Sequence, residues 1–252
     1  MRAKKLLRAL AVAVFWLAAW YAASRLAGSE YLLPDPVTVL GRVGALTLSA
    51  EFWMICFTSL SRILWGVLLA VAVGIPLAVL TTAVPPANAL LSPLLTVIKS
   101  TPVASFIILA LVWLGRETVP TFIALLMVLP VVWGNVSAGI RSTDASLLAL
   151  CRTYRVPPIR VLRRVYVPSV APHFTAAVQT GLGLAWKAGV AAEVLTAAKN
   201  SIGKEIFEAK QYMETVNLFA WTLVVILMSL IIEKLVMVLL SRLSRRQKEA
   251  LT

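Results

Sequence analysis

Long apolar runs alternate with short polar or proline-containing stretches along most of this chain. Six of the runs are long enough to cross a bilayer, which takes about 20 apolar residues per helix. They cover residues 1–27, 57–82, 88–114, 118–138, 170–195 and 217–240. The pattern predicts an all-α integral membrane protein with about six transmembrane helices.

The stretches between the runs predict smaller elements. Pro34 and Pro36 favour an extended loop after the first run, because proline is unfavourable inside a helix. Residues 37–53 have the pattern of a short amphipathic helix at the membrane surface, and residues 199–216 that of a polar loop. The first run also fits a secretory signal peptide. Its length and its tryptophans favour a retained helix instead.

Composition supports the membrane assignment and argues against a nucleic-acid partner. The chain is 60% hydrophobic and only 14% charged, with a mean hydropathy of +0.88. Soluble domains are nearer half apolar and a quarter charged. The formal charge of +13 would suit a nucleic acid, but the basic residues cluster at the edges of apolar runs. That placement is typical of membrane topology.

The distribution of lysine and arginine predicts the orientation. Basic residues are concentrated at the N-terminus, in residues 141–168 and in the tail 241–252, which six spans would place on one side. Cytoplasmic loops carry the excess of lysine and arginine. We therefore expect both termini and residues 141–168 to be cytoplasmic.

Residues 144–168, called the basic segment below, are long, polar and helical in pattern. One acid, Asp144, stands against five arginines: Arg152, Arg155, Arg160, Arg163 and Arg164. Pro157 and Pro158 interrupt the helical spacing, so we predict two short helices, 145–155 and 158–166. The segment either attracts anionic lipid, worth about 1 kcal/mol per basic residue, or docks on another protein. The residues alone favour neither.

Charged residues also lie inside the apolar runs. The third run is broken at Lys99, Ser100, Thr101 and Pro102. In the fifth run Trp186, Gly189 and Glu193 share one helix face, and Lys187 points elsewhere. Each charge at such depth costs at least ~2.5 kcal/mol on insertion scales. These residues therefore either line a transport pathway or form a structural pair, such as Lys99 or Lys187 with Glu193.

The chain lacks the motifs of an enzyme. It has no G-x-x-x-x-G-K-[ST] phosphate loop, nucleophile motif, paired carboxylates or metal-ligand spacing. We expect no cofactor and no metal on this chain, and any ATP hydrolysis on a separate subunit. The rival hypothesis is an ATP-independent secondary transporter or channel. Such transporters are often built from inverted repeats, whereas the broken third run has no counterpart in the fifth or sixth.

Several stretches resemble the permease subunits of bacterial ABC importers, in the nitrate, sulfonate and taurine branch of the binding-protein-dependent family. The resemblance extends over nearly the whole chain from Leu33. It is carried by Leu33-Pro-Asp-Pro-Val37, Ser59-Leu-Ser-Arg62, Lys99-Ser-Thr-Pro102-Val-Ala104 and Ala185-Trp186 with Ala191-Ala-Glu193.

The basic segment is similar to the family's cytoplasmic loop, whose usual form is Glu-Ala-Ala-x3-Gly-x9-Ile-x-Leu-Pro. Alignment on Pro168 puts Ala149 at the glutamate, Cys151 at the second alanine and Arg155 at the glycine. The resemblance implies a pair of coupling helices that fit a cleft on the ATPase. The implied contact residues are Ala149, Leu150, Cys151, Arg152, Thr153, Tyr154, Arg155, Val156, Pro157, Pro158, Arg160 and Leu162.

The resemblance also implies the assembly. A single transmembrane domain would comprise residues 1–56, core spans 57–240 with the coupling loop 141–168, and a cytoplasmic tail 241–252. It would sit in the bacterial inner membrane beside a second permease copy. The other partners would be two ATPases that hold ATP and Mg, and a periplasmic or lipid-anchored solute-binding protein. The solute would be of the sulfonate, taurine, nitrate or vitamin-precursor type.

Overall fold

The described part of the protein is entirely helical. The computed structural model describes the backbone of residues 2–249 and the side chains of residues 7–8 and 11–239. The side chains of the predicted basic tail, 241–252, lie outside the described residues. The helices are α1 Arg2–Ala27, α2 Pro36–Thr47, α3 Ala50–Ala83, α4 Pro85–Ser100, α5 Val103–Trp113, α6 Val119–Arg141, α7 Ala145–Thr153, α8 Pro158–Val161, α9 Val167–Thr196, α10 Ile202–Gln211 and α11 Thr215–Glu249, with a π-helical turn Leu162–Tyr166 between α8 and α9.

Helices α3, α6 and α9 form the packed centre of the fold. Small residues let these helices approach closely, as is usual where membrane helices meet. A Cβ on Gly66 of α3 would lie 2.4 Å from the Thr121 carbonyl oxygen of α6. A Cβ on Gly189 of α9 would lie 2.6 Å from Cγ1 of Ile63. Both glycines are therefore needed for contact between neighbouring helices.

The described helices differ in how well they suit a bilayer. Three are long and apolar enough to cross one, namely Ala50–Ala83, Val119–Arg141 and Thr215–Leu239, and the bent pair α4–α5 would make a fourth. The apolar part of α1, Ala11–Ala27, is shorter. Helix α9 is long enough but less apolar than these three. The integral membrane fold is thus confirmed, and the count of six spans stays a prediction.

The predicted break in the third span, 88–114, is confirmed, since the span consists of two helices. Helices α4 and α5 meet at an angle of 107°. The break falls where the sequence indicated it, because Pro102 lacks an N–H and forces an extended conformation on the residue before it. Thr101 adopts that conformation, with φ −80° and ψ 131°.

The predicted surface helix 37–53 is also divided differently. Helix α2 begins after Asp35, whose carboxylate accepts hydrogen bonds from the amides of Val37 and Thr38. The hydrogen bonds from the Thr38 amide and hydroxyl lower the pKa of Asp35. Ser49 accepts a hydrogen bond from the Glu51 amide and starts a new helix. A second N-cap thus moves the start of α3 to Ala50, seven residues before the predicted span.

The predicted polar loop 199–216 is wrong, since it contains helix α10. Ser201 caps the helix by accepting a hydrogen bond from the Lys204 amide at 3.0 Å. Ile202 and Ala209 are buried. Partial burial, with a smaller effect from Glu208, raises the pKa of Glu205. The balanced charges of this stretch indicated a loop, but its apolar positions fall on one helical face.

The predicted helix 158–166 and the predicted span 170–195 form one continuous helical run in the structure. Pro168 does not separate them, although it has no N–H to donate. The π-helical turn just before it uses a wider hydrogen-bond register, in which the Val167 N–H donates to the Leu162 carbonyl. Such turns absorb an irregular residue without ending the helix.

Candidate functional site

The first half of the basic segment is helix α7 with a defined end. Asp144 caps its N-terminus by accepting hydrogen bonds from the Ser146 and Leu147 amides. At its C-terminus the Val156 N–H donates to the Cys151 carbonyl at 2.9 Å, and the Arg155 N–H donates to the Arg152 carbonyl at 3.0 Å. This bond pair is a Schellman motif.

Arg155 occupies the left-handed position of that motif, with φ +49°. Glycine is the usual residue there, because a Cβ in this conformation is strained by about 1–2 kcal/mol. The sequence predicted that Arg155 stands where similar permeases have glycine. The structure supplies the physical reason for a glycine, and the arginine keeps the same turn under strain.

The basic segment is exposed along most of its length, and Val165 in the π-helical turn is its buried residue. No residue of α7 or α8 is buried, and Tyr154 is 75% exposed. The segment has two limbs, α7 on one side and α8 with the π-helical turn on the other. Between them lies a pocket of about 690 Å³, lined by Leu148, Cys151, Arg152, Arg155, Val156, Pro158, Ile159, Val161, Leu162 and Tyr166. Half of the twelve predicted coupling residues line this pocket, namely Cys151, Arg152, Arg155, Val156, Pro158 and Leu162. The coupling role of the set stays a prediction.

The π-helical turn connects this surface to the helix bundle. Leu162 and Tyr166 line the pocket and also a second, almost wholly apolar cavity of about 640 Å³. That cavity lies among the ends of α3, α6 and α9, with Ile75, Val136 and Phe174 in its lining. The turn is thus the direct link between the basic segment and α9.

The bend between α4 and α5 presents its predicted pathway residues to the outside of the subunit. Lys99, Ser100 and Pro102 are exposed, and Thr101 is half-buried. Lys187 on α9 is exposed as well. Neither lysine forms an ion pair with another described residue. Their placement leaves them free to face a second subunit, a solute or lipid, and their pathway role stays a prediction.

The other predicted pathway residues lie inside the subunit. Trp186 is 2% exposed, and its Nε1 donates a hydrogen bond to the Val225 carbonyl of α11 at 3.0 Å. Gly189 packs on Ile63 of α3. Glu193 is fully buried. The three share one helix face, as the spacing predicted, and this face contacts neighbouring helices of the same chain.

Glu193 of α9 holds α3 and α10 against its own helix. Its Oε2 accepts hydrogen bonds from the Ser59 hydroxyl at 2.9 Å and from the Gly203 N–H at 3.3 Å. Ser59 in turn accepts a hydrogen bond from the Ile202 N–H at 2.9 Å. The carboxylate therefore lies at the N-terminus of α10, where the helix dipole favours negative charge. Glu193 Oε1 has no hydrogen-bond partner among the described residues.

Arg62 supplies the opposite charge. Its Nη1 lies 4.0 Å from Glu193 Oε1 and donates to the Lys199 carbonyl at 2.9 Å. Its Nη2 pairs with Glu117, which also accepts a hydrogen bond from the Lys199 N–H. The predicted pairing of Glu193 with a lysine is therefore wrong. Arg62 occupies that place because its long side chain starts one helix turn from Ser59.

Ser59, Arg62, Glu117, Glu193, Lys199 and Gly203, called the Glu193 cluster below, lie far from the basic segment. Glu193 follows Val167 by 26 residues of one helix, or about 39 Å at 1.5 Å per residue. The cluster thus joins α3, α9, α10 and the turn before α6 at the end of the bundle opposite the basic segment. Among the described residues no group of three His, Cys, Asp or Glu side chains could hold a metal ion.

Comparison with known proteins agrees with this geometry. The family model described as binding-protein-dependent transport system inner membrane component matches residues 66–249. A probable ABC transporter permease protein of Brucella abortus is 30% identical, with 92% of each chain covered. A putative aliphatic sulfonates transport permease protein, SsuC of Bacillus subtilis, is 28% identical over 76% of this chain and 70% of its own.

A crystal structure of an amino acid ABC transporter with histidines has a similar fold. The TM-score is 0.63 at 16% identity, and the match covers 82% of this chain and 97% of the other. The likeness extends over most of the helical bundle. This chain belongs to the binding-protein-dependent transport family and is an ABC transporter permease.

Proposed function

We propose that this chain is the membrane subunit of an ATP-driven importer, in which it forms the pathway for a small solute delivered by an external binding protein. The observation that carries the proposal is family membership across residues 66–249, combined with an exposed basic segment between α6 and α9. Its relatives are permease subunits rather than enzymes. ATP and Mg would accordingly bind to two partner ATPase subunits.

In this proposal the basic segment, residues 149–162 in particular, is the surface that the ATPase moves. Closure of the ATPases on ATP would displace α7 and α8, and the π-helical turn would pass the displacement to α9. The transport cycle is then a shift between two populated states, biased by whether ATP is bound. Both α7 and α8 are without buried residues, and this accessibility supports their role as the surface that contacts the ATPase.

The bend at Lys99–Pro102, with Lys187, is our candidate for the pathway or its gate. A broken helix is tolerated at membrane depth where it lines a cavity or is covered by protein. The exposed lysines would then face a second copy of the permease across the pathway. Their charge suits an anionic solute of the sulfonate type, the class for which the Bacillus subtilis relative is named.

The Glu193 cluster has a different role in this proposal. With both termini and the basic segment in the cytoplasm of a bacterial cell, the cluster lies at the periplasmic end, beneath the surface that meets the binding protein. Its hydrogen bonds hold α10 on α3 and α9. It would therefore give that surface a fixed shape.

Reconstitution tests the proposal directly. The purified permease is placed in proteoliposomes with and without the ATPase that co-purifies with it. Mass spectrometry of the co-purified binding protein identifies the solute to be offered. We expect uptake only when the ATPase, ATP, Mg and the loaded binding protein are all present. Uptake that proceeds without the ATPase would refute the proposal in favour of a secondary transporter or channel.

A further inference from the structure

The basic segment carries a surplus of positive charge that nothing in the described structure neutralises. Its five arginines are exposed, and none of them forms an ion pair or side-chain hydrogen bond with another described residue. Asp144, the one acid of the segment, caps α7 and forms no ion pair with any of them, so it offsets at most one of the five charges. The surface is therefore complementary in charge to a partner with a negatively charged surface.

The pocket between the two limbs defines where that charge would lie. Arg152 and Arg155 line it together with Leu148, Val156 and Ile159. Its volume of about 690 Å³ is within the range of pockets that enclose a ligand or several side chains, about 300–1,000 Å³. An apolar side chain inserted between these walls would bring its flanking residues within reach of both guanidinium groups.

The mixed lining favours a protein over a lipid surface. A helix that lies on a membrane separates its apolar face from its basic face. Leu148 and Arg152 of α7 line the pocket together with Arg155 from the turn that follows, so apolar and basic groups share one surface. A concave surface of this kind suits an apolar protrusion surrounded by carboxylates.

We propose that the partner ATPase presents an acidic cleft to this permease, with carboxylates that pair with Arg152 and Arg155 around an apolar side chain seated in the pocket. The inference rests on the proposed function and adds the chemistry of the partner. Two positions support it, because the family loop that this segment resembles has glutamate and glycine where this chain has Ala149 and Arg155. Both differences make the surface more positive. An ATPase whose cleft is matched to the usual glutamate-containing permease loop would therefore be a poor partner.

Cys151 provides a direct test, since it lines the pocket, whereas the other cysteine, Cys56, is buried in α3. The assembled permease–ATPase complex is treated with a short thiol-to-amine crosslinker, and the linked ATPase peptide is sequenced by mass spectrometry. We expect a peptide with Asp or Glu beside an apolar residue. A linked ATPase peptide without acidic residues overturns the inference.

Charge-reversal variants measure how much the two arginines contribute to ATPase binding. Arg152→Glu and Arg155→Glu should each weaken ATPase binding roughly tenfold at low salt, since a reversed charge repels the carboxylate that it formerly paired with. Changing the acidic residue of the linked ATPase peptide to Arg should restore binding to the two variants. Arg116→Glu, the same change on an exposed residue at the other end of the bundle, should bind the ATPase as wild type does.

The possible failures are distinguishable. If Arg152→Glu and Arg155→Glu bind the ATPase as tightly as Arg116→Glu, the acidic cleft is refuted while ATP-dependent uptake still supports the proposed function. If the two variants bind the ATPase as wild type does but bind less well to vesicles that contain anionic phospholipid, the segment is a lipid anchor and the inference fails. ATP-independent uptake refutes the proposed function itself.

Discussion

The contact between α9 and α10 depends on a single hydrogen atom, the one that replaces a side chain at Gly203. A Cβ added there would lie 2.3 Å from Glu193 Cβ, 2.4 Å from the Val194 amide nitrogen and 2.5 Å from the Glu193 carbonyl carbon. Non-bonded carbons rest at about 3.5–4.0 Å. Two of the three atoms belong to the backbone of α9, so no rotamer change relieves the overlap. Gly203→Ala must move α10 by about 1 Å or more.

That movement breaks specific hydrogen bonds as well. The Gly203 N–H to Glu193 bond is already 3.3 Å long, and the Ile202 N–H to Ser59 bond lies beside it. Overpacking costs about 1–3 kcal/mol, and each lost hydrogen bond about 1 kcal/mol. We therefore expect Gly203→Ala to lower the free energy of unfolding by roughly 3–5 kcal/mol. For a chain of this size the unfolding temperature falls by about 2–4 °C per kcal/mol.

Thermal unfolding of the purified permease in detergent measures this effect, and we expect a decrease on the order of 10 °C. Gly44→Ala is the matched control, because Gly44 lies inside α2 with no atom within 4 Å of an added Cβ. Alanine there should raise stability by about 0.5–1 kcal/mol, as expected for a helix interior. A Gly203→Ala unfolding temperature within about 2 °C of wild type would contradict the reasoning.

Three further changes test other parts of the structure. Arg155→Gly should stabilise the permease by about 1 kcal/mol in thermal unfolding, because glycine removes the strain of a positive φ. Glu193→Ala should destabilise it by about 2–4 kcal/mol, since the Ser59 hydroxyl and the Gly203 N–H lose their buried acceptor, whereas Glu193→Gln keeps an acceptor oxygen and should cost less than half as much. Arg155→Glu combined with Arg160→Glu should leave the protein in the membrane and its ATPase active, while uptake into proteoliposomes falls.

Each of these has an outcome that would count against it. Arg152→Gly, inside α7, should lose about 1 kcal/mol, so equal effects at Arg152 and Arg155 would mean that the left-handed turn is not strained. Equal unfolding temperatures for the Gln and Ala variants of Glu193 would show that its hydrogen bonds contribute little. Undiminished uptake by the Arg155 and Arg160 double variant would refute the docking role.

The pairing of Glu193 with Arg62 shows what the sequence could predict and what it could not. Burying Glu193 in an apolar run is costly, so the sequence required partners for this carboxylate. It did not identify them, because Arg62 precedes Glu193 by more than a hundred residues. Ser59 and Arg62 contributed only to the family resemblance, and Glu117 lies in a short polar turn between two runs. An arginine and a serine one turn apart in a run of apolar residues were the available signal.

By itself the sequence determined the class of the molecule, the break at Lys99–Pro102 and the exposed basic segment. Each of these follows from local chemistry: apolar length, a proline without an N–H, and arginines outside the apolar runs. Only the tertiary structure decided that the Trp186–Glu193 face packs inside the subunit, because helix periodicity does not specify which neighbour covers a face. It likewise decided the helix α10, whose N-terminus is held by Ser59 and Glu193 from distant parts of the chain.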